Sequence, residues 1–380
     1  MSLFSPAPVG QPETVDAPPP RPTAVVYCEA NFARIDGKTA NGLVRHSERY
    51  DILSVVDSEH VGLDAGTVLD GVVNGIPIRR DLADALAHVG TTPDFFIFGI
   101  APTSGMLSVH ERGVVLEAMS HGMNIVSGLH EFLHDDAEFV AASAIHQVAM
   151  IDVRRPRDKK DLRTFSGRIL DVTCPRIAVL GTDCAVGKRT TATVLSRALR
   201  DHGLKAILVG TGQTGLMQGA KHGLALDAVP AQFGAGEMEA AVVEAFEAED
   251  PDVIIIEGQG ALSHPAYSST AFILKGSRPH GVVLQHAPAR QRLSDFPDFA
   301  TPTPASEIRL LETFSDTKVI GLTLNHEDLT DAELSAAIAG YEATLGLPAT
   351  DPLTHAPDRL VEMVLTAFPE LAVKLTVGAS

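Results

Sequence analysis

Short apolar runs alternate with amphipathic stretches along most of the chain. β-rich runs at 24–27, 52–56, 95–98, 124–126 and 148–153 are separated by helical stretches near 39–48, 81–88, 109–121 and 136–146. A second series follows, with strands expected at 177–180, 206–209, 253–256, 281–285 and 319–324 and helices near 190–202, 237–247, 306–314, 331–345 and 357–367. Strand and helix in alternation imply parallel pairing through right-handed crossovers, so the expected class is α/β throughout. Four segments result: a Pro-rich disordered leader at 1–22, a Rossmann-like domain at 23–153, a basic linker at 154–171 and a second domain at 172–380. The linker carries Arg154, Arg155, Arg157, Lys159, Lys160, Arg163 and Arg168, a solvated strap or a source of anion contacts.

The second domain declares its chemistry at its first turn. Gly181, Thr182, Asp183, Cys184, Ala185, Val186, Gly187, Lys188, Arg189 and Thr190 follow one apolar run and open a helical one. Strand, glycine-bearing turn and helix N-terminus together aim backbone N–H groups at one point, and Lys188 adds a charge there. This is a phosphate-binding loop, and the domain is expected to be a P-loop NTPase-like three-layer unit with a parallel sheet. Two departures from the strict pattern bear on chemistry. Thr182 stands in the usual glycine slot, and Arg189 replaces the hydroxyl that would hold Mg²⁺. Phosphate binding is therefore expected without metal-dependent hydrolysis. By contrast, Glu29-Ala30-Asn31-Phe32-Ala33 after the first strand is no dinucleotide fingerprint, and the turn at 99–105 is the more open one in that domain.

A second motif, Glu257-Gly258-Gln259-Gly260, ends an apolar strand. Strand C-termini share one edge of a parallel sheet, so Glu257 is expected to face Lys188, there to hold Mg²⁺, accept a proton or pair with the lysine.

Charge narrows the partners. With 30 Lys and Arg against 48 Asp and Glu, a net charge of −18 argues against nucleic acid or an anionic membrane. Cys28, Cys174 and Cys184 fit neither a disulfide framework nor a metal spacing, and no apolar run is long enough to span a bilayer. The expectation is a cytoplasmic protein acting on a small molecule, without a metal, as a homo-oligomer.

Gly181-Thr182-Asp183 with Val186-Gly187-Lys188 and Glu257 to Gly260 resembles the dethiobiotin synthetase branch of P-loop proteins. A wider resemblance takes in Asp152-Val153-Arg154, Phe165-Ser166-Gly167, the 181–191 loop, Thr211 to Gly215, Glu257 to Gly260, Ser263-His264-Pro265, Leu274 to Pro279 and Leu284 to Pro288. In this order the motifs resemble a two-domain family that includes D-glutamate N-acetyltransferases. The resemblance implies acetyl transfer from acetyl-CoA to the amine of D-glutamate, with the loop, Arg189 included, holding coenzyme phosphates. ATP and Mg²⁺ enter only under the alternative of a kinase or ligase like dethiobiotin synthetase. Attack on a thioester needs an uncharged amine, an oxyanion donor and cations for the substrate carboxylates. Glu257 and His264 are the candidate bases. Lys275 and Arg278 are candidate carboxylate clamps or solvent-facing charge. Thr211, Gln213 and Thr214 either bind substrate or cap the next segment, Ser263 flanks His264, and His286 is either a substrate contact or a satisfied structural histidine.

Overall fold

The computed structural model describes residues 20–378 other than Thr103. Residues 1–19 of the expected leader, and Thr103 of the 99–105 turn, lie outside the described residues.

The first unit contains strands β1 (Thr23–Tyr27), β2 (Asp51–Val56), β3 (Ile78–Arg79), β4 (Phe95–Phe98), β5 (Asn124–Ser127) and β6 (Met150–Asp152), with helices α1 (Lys38–Arg45), α2 (Ala65–Asp70), α3 (Leu82–Val89), α4 (Val109–Ser120) and α5 (Ala137–His146). All pairings are parallel, in the order β3-β2-β1-β4-β5-β6. That order reverses between β1 and β4, where doubly wound folds open their ligand crevice. Here α1 closes over it. Ala40 N–H donates to Gly99 O at 3.1 Å, and a Cβ on Gly99 would meet the Ala40 methyl at 2.9 Å. Helix starts follow their caps: Ser108 and Glu111 form a capping box on α4, and Asp81 and Asp136 cap α3 and α5.

The second unit contains β7 (Arg176–Gly181), β8 (Ala206–Gly210), β9 (His222–Gly223), β10 (Val253–Glu257), β11 (Gly281–His286), β12 (Lys318–Leu324) and β13 (Ala349–Thr350). Its helices are α6 (Lys188–Asp201), α7 (Gln213–Gln218), α8 (Ala231–Glu249), α9 (Ser269–Ser277), α10 (Pro304–Phe314), α11 (Asp331–Leu345), α12 (Asp358–Ala367) and α13 (Pro369–Gly378). The sheet is parallel, in the order β13-β12-β11-β7-β10-β8-β9. Successive side chains leave a strand on opposite faces, and β7 shows the consequence. Ile177 and Val179 pack with Ala192, Leu195, Val361 and Val364 of α6 and α12, while Ala178 and Leu180 pack with Val242, Ile273 and Leu311 of α8, α9 and α10. Both faces are covered, which explains why these strands read as unbroken apolar runs.

Helix α8 begins six residues before its expected start at 237. Gly234 and Gly236 weaken the helical pattern, yet the fold needs them bare: a Cβ on Gly236 would stand 2.3 Å from Arg163 O, and one on Gly234 2.6 Å from the Phe272 ring. The basic strap 154–171 runs along this helix. Arg163 and Arg157 pair with Glu237 and Glu244, and Arg168 pairs with Glu247.

The two units meet through α7. Met217 enters the core of the first unit, and the Thr39 and Thr214 hydroxyls lie 2.9 Å apart. Gln218 Nε2 donates to Gly42 O and His46 O at 2.7 and 2.8 Å. Arg154 Nε donates to Gly128 O at 2.5 Å and its Nη1 pairs with Asp227 of the second unit.

Candidate functional site

Residues 182–187 leave β7 and deliver the chain to α6 across a turn that two positions make possible. Gly187 has φ 105°, where a side chain is strained, and a Cβ on Gly181 would stand 2.9 Å from Gln285 O. Thr182 N–H donates to Gln285 O at 3.0 Å, and its hydroxyl meets His286 Nδ1 at 2.8 Å. The other nitrogen of His286 lies 3.1 Å from the Tyr341 hydroxyl. With both ring nitrogens engaged and burial lowering its pKa to about 4, His286 braces Thr182 as a neutral structural residue.

Asp183 is fully buried, and both of its oxygens accept hydrogen bonds. Oδ1 accepts Cys184 N–H at 2.7 Å, and Oδ2 accepts Arg290 Nη1 at 3.0 Å and Ser294 N–H at 2.9 Å. Arg290 also donates to Cys184 O at 2.8 Å and to Glu327 at 2.5 Å, while Asn325 Nδ2 donates to Val186 O at 3.2 Å. Arg290, Ser294 and Asn325 shape the loop, and the sequence reading missed them. Leu284 to Pro288 was the nearest signal, since Arg290 lies two residues beyond it.

Lys188 is buried, with Nζ donating to Asp183 O at 2.5 Å. Burial lowers its pKa to about 8, against the opposing pull of Cys184 and Asp183. Burial likewise raises the half-buried Cys184 thiol to about 11, with Lys188 opposing and a weaker opposing pull from Lys38 at the start of α1.

Arg189 follows Lys188 in the first turn of α6. Its guanidinium lies against Gly42 of α1 and makes no hydrogen bond or ion pair among the described residues; desolvation lowers its pKa and Glu257 opposes this. Thr190 follows in the first turn of α6, and the neighbouring Thr191 hydroxyl donates to Gln285 Oε1 at 2.5 Å.

Glu257 ends β10, which lies between β7 and β8. Its carboxylate turns toward β8, accepting Thr211 N–H at 3.0 Å and the Gly212 N–H at the start of α7. Desolvation raises its pKa; Arg189 opposes most strongly and Lys188 least. Of the three roles expected for Glu257, pairing with Lys188 is absent among the described residues: the carboxylate sits beneath α7 and acts on Lys188 only through space. Thr211 donates to Glu257 O and accepts Gln259 Nε2, both at 2.9 Å, whereas Thr214 and Gln213 pack against Thr39 and Gly128 of the first unit.

In the loop after β10, Ser263 is held by Glu307 of α10, its hydroxyl donating at 2.6 Å. His264 is 6% exposed, stacked on Tyr267 at 4.6 Å and edge-on to Phe296 at 5.7 Å. One ligand atom each of Asp183, Cys184 and His264 lie within 4.8 Å of one another.

Lys275 and Arg278 stand apart from all of this. Helix α9 carries the chain from the loop edge back to the start of β11, and Arg278 O accepts from Arg176, the first residue of β7. Both residues are exposed, toward the edge where β7 begins, with Lys275 Nζ over the Phe314 ring. The structure does not bring them to the candidate site.

A Rossmann-like unit docked on a P-loop unit, with the loop braced by Arg290, Asn325 and His286, defines a two-domain phosphate-loop protein. Residues 58–156 match the DUF1611_N Rossmann-like domain and residues 163–361 the DUF1611_C P-loop domain, both described as domains of unknown function. The chain belongs to the DUF1611 family. A DUF1611 family protein from Anabaena variabilis ATCC 29413 has a solved structure that matches with a TM-score of 0.84 and 30% identity, over 91% of this chain and 100% of that one. A D-glutamate N-acetyltransferase of Tritonibacter scottomollicae is 32% identical over 70% of this chain and 79% of its own length. Another, from a Pseudoalteromonas species, is 31% identical over 70% of this chain and 80% of its own. These relatives make the protein an acyltransferase. No helix among the described residues is long and apolar enough to cross a membrane.

Proposed function

We propose that the protein transfers the acetyl group of acetyl-CoA to the amine of D-glutamate or a closely related amino acid, with the 181–190 loop holding coenzyme phosphates. The observation that carries the phosphate assignment is the buried Lys188 beneath a glycine turn at the N-terminus of α6. The names of the two relatives support the reaction.

The loop's donor set does not fit Mg²⁺. Arg189 stands where the metal-binding hydroxyl would be, and both oxygens of Asp183 are taken by Cys184 N–H, Arg290 and Ser294 N–H. No step is therefore routed through a metal, and the kinase or ligase alternative draws no support from the site.

In the transfer, the amine nitrogen attacks the thioester carbonyl and the coenzyme thiolate departs. The amine must first lose its proton, and Glu257 is the group assigned to take it, because it ends β10 at the loop edge of the sheet, where desolvation raises its pKa. Its proton affinity is set by the same seat that fixes α7 against the first unit.

The test is free-thiol release from acetyl-CoA with D- and L-amino acids, with and without EDTA. Release with D-glutamate that survives EDTA is expected. ADP formation from ATP and Mg²⁺ without thiol release would overturn the assignment.

A further inference from the structure

His264 is pinned by its own loop. Ala266 N–H donates to His264 Nδ1 at 3.2 Å, so Nδ1 presents a lone pair and the neutral ring carries its proton on Nε2. Nε2 is buried and has no hydrogen-bond partner among the described residues. Its side chain is fully buried, and its nearest carboxylate oxygen, Asp183 Oδ1, lies 3.9 Å away and already accepts Cys184 N–H. Asp183 cannot turn to serve it, since the other oxygen holds Arg290 and Ser294 N–H. A buried donor left unmade is costly, and this one is aimed at the phosphate loop. The same proton argues against a metal in the Asp183, Cys184 and His264 group, because Nε2 would have to lose it while Nδ1 stays unprotonated.

We propose that His264 acts as a fixed hydrogen-bond donor, through Nε2–H, to an oxygen of the ligand bound on the loop, and does not act as a base. The inference rests on the acetyl-CoA reading above. Two oxygens share the required chemistry. With the pyrophosphate deep in the loop, the flexible arm carries the thioester away and a phosphate oxygen meets Nε2; with the arm folded back, the thioester carbonyl meets it and gains an oxyanion donor. Tyr267 and Phe296 hold the ring in place for either.

The direct test is the ¹⁵N spectrum of His264 in the full chain, which reads the protonated nitrogen without any assay. The Nε2–H form is expected, and an Nδ1–H form overturns the proposal. Kinetically, His264→Ala is expected to lower kcat/KM about 10- to 100-fold, and His264→Gln, which donates but does not titrate, to recover most of that loss. Melting curves establish that each variant is folded, and a folded His264→Gln as inactive as His264→Ala overturns the donor role. A loss in His264→Ala confined to kcat marks the carbonyl oxygen, whereas an equal loss in coenzyme A affinity marks a phosphate. An unchanged kcat and affinity would overturn both. If the unaltered protein transfers no acetyl group, the functional reading fails, and the ¹⁵N spectrum with coenzyme A affinity in His264→Ala still decides the donor.

Discussion

A Cβ on Gly42 would stand 2.7 Å from Nη2 and 3.1 Å from Cζ of Arg189, so the residue that replaces the loop's hydroxyl is lodged against the backbone of the other unit. The Thr214 methyl closes the same space, 2.9 Å from that position. Arg189 has a flexible end and can give way, but Thr214 is buried and paired with Thr39. Gly42→Ala is therefore expected to cost about 1 kcal/mol and Gly42→Val about 2–3, the range for overpacking. Denaturant midpoints check this. Wild-type midpoints for Gly42→Val would mean that the units are not docked as described.

Under the proposed reading, Lys188 sets a pH limit on coenzyme binding. With its pKa lowered to about 8 by burial, the ammonium is present below that value and lost above it. Phosphates are already ionised there, so affinity should hold from pH 7 to 8 and then fall, by about 10-fold by pH 9.5. Lys188→Arg stays charged and should flatten the profile, while Lys188→Ala should bind weakly at every pH. Calorimetric titration with coenzyme A at pH 7.5 and 9.5 reads the difference, and an unaltered protein with equal affinity at both would sink the assignment.

The alternating apolar runs made the two parallel sheets legible, because a strand covered on both faces must be continuously apolar, as β7 and β10 are. The loop was equally plain, since its glycine and lysine obey a local rule. Short elements escaped. Helix α7 is six residues long and is absent from the helices expected from sequence, because its partners, Thr39, Gly42 and Gly128, lie in the other unit. Arg290 escaped for a related reason. Nothing local marks an arginine whose acceptors, Asp183 and Cys184, precede it by over a hundred residues.

His286 should make stability depend on pH. Its folded pKa of about 4 lies below the usual value of 6.5, so the unfolded chain binds more protons between them. Stability is then fully present above pH 6.5 and falls as pH drops toward 4, by up to about 3 kcal/mol at 1.36 kcal/mol per pH unit. His286→Gln removes the titrating group, although it also weakens the Thr182 brace. Its midpoint should be lower at pH 7, with a shallower decline toward pH 4.5. A variant whose midpoint declines as steeply as the unaltered protein's would place the acid sensitivity elsewhere.

Sheet polarity separates groups at the loop edge from groups that were only suggestive in sequence. Lys275 and Arg278 are cationic and close in sequence to His264, but α9 carries them to the edge where β7 begins. Glu257 lies on the loop edge, in contact with Thr211 and Gly212. Lys275→Ala and Arg278→Ala should therefore leave kcat/KM for the amine within about two-fold, since exposed charges toward the edge where β7 begins are screened. Glu257→Gln keeps an oxygen that accepts a backbone N–H but cannot take a proton at neutral pH, so kcat should fall about 100-fold or more with coenzyme A affinity nearly unchanged. A ten-fold rise in KM for D-glutamate in Arg278→Ala would put the carboxylate site on the wrong edge. Full activity in Glu257→Gln would leave the carboxylate as the seat of α7 alone, and the amine would have to lose its proton to another group.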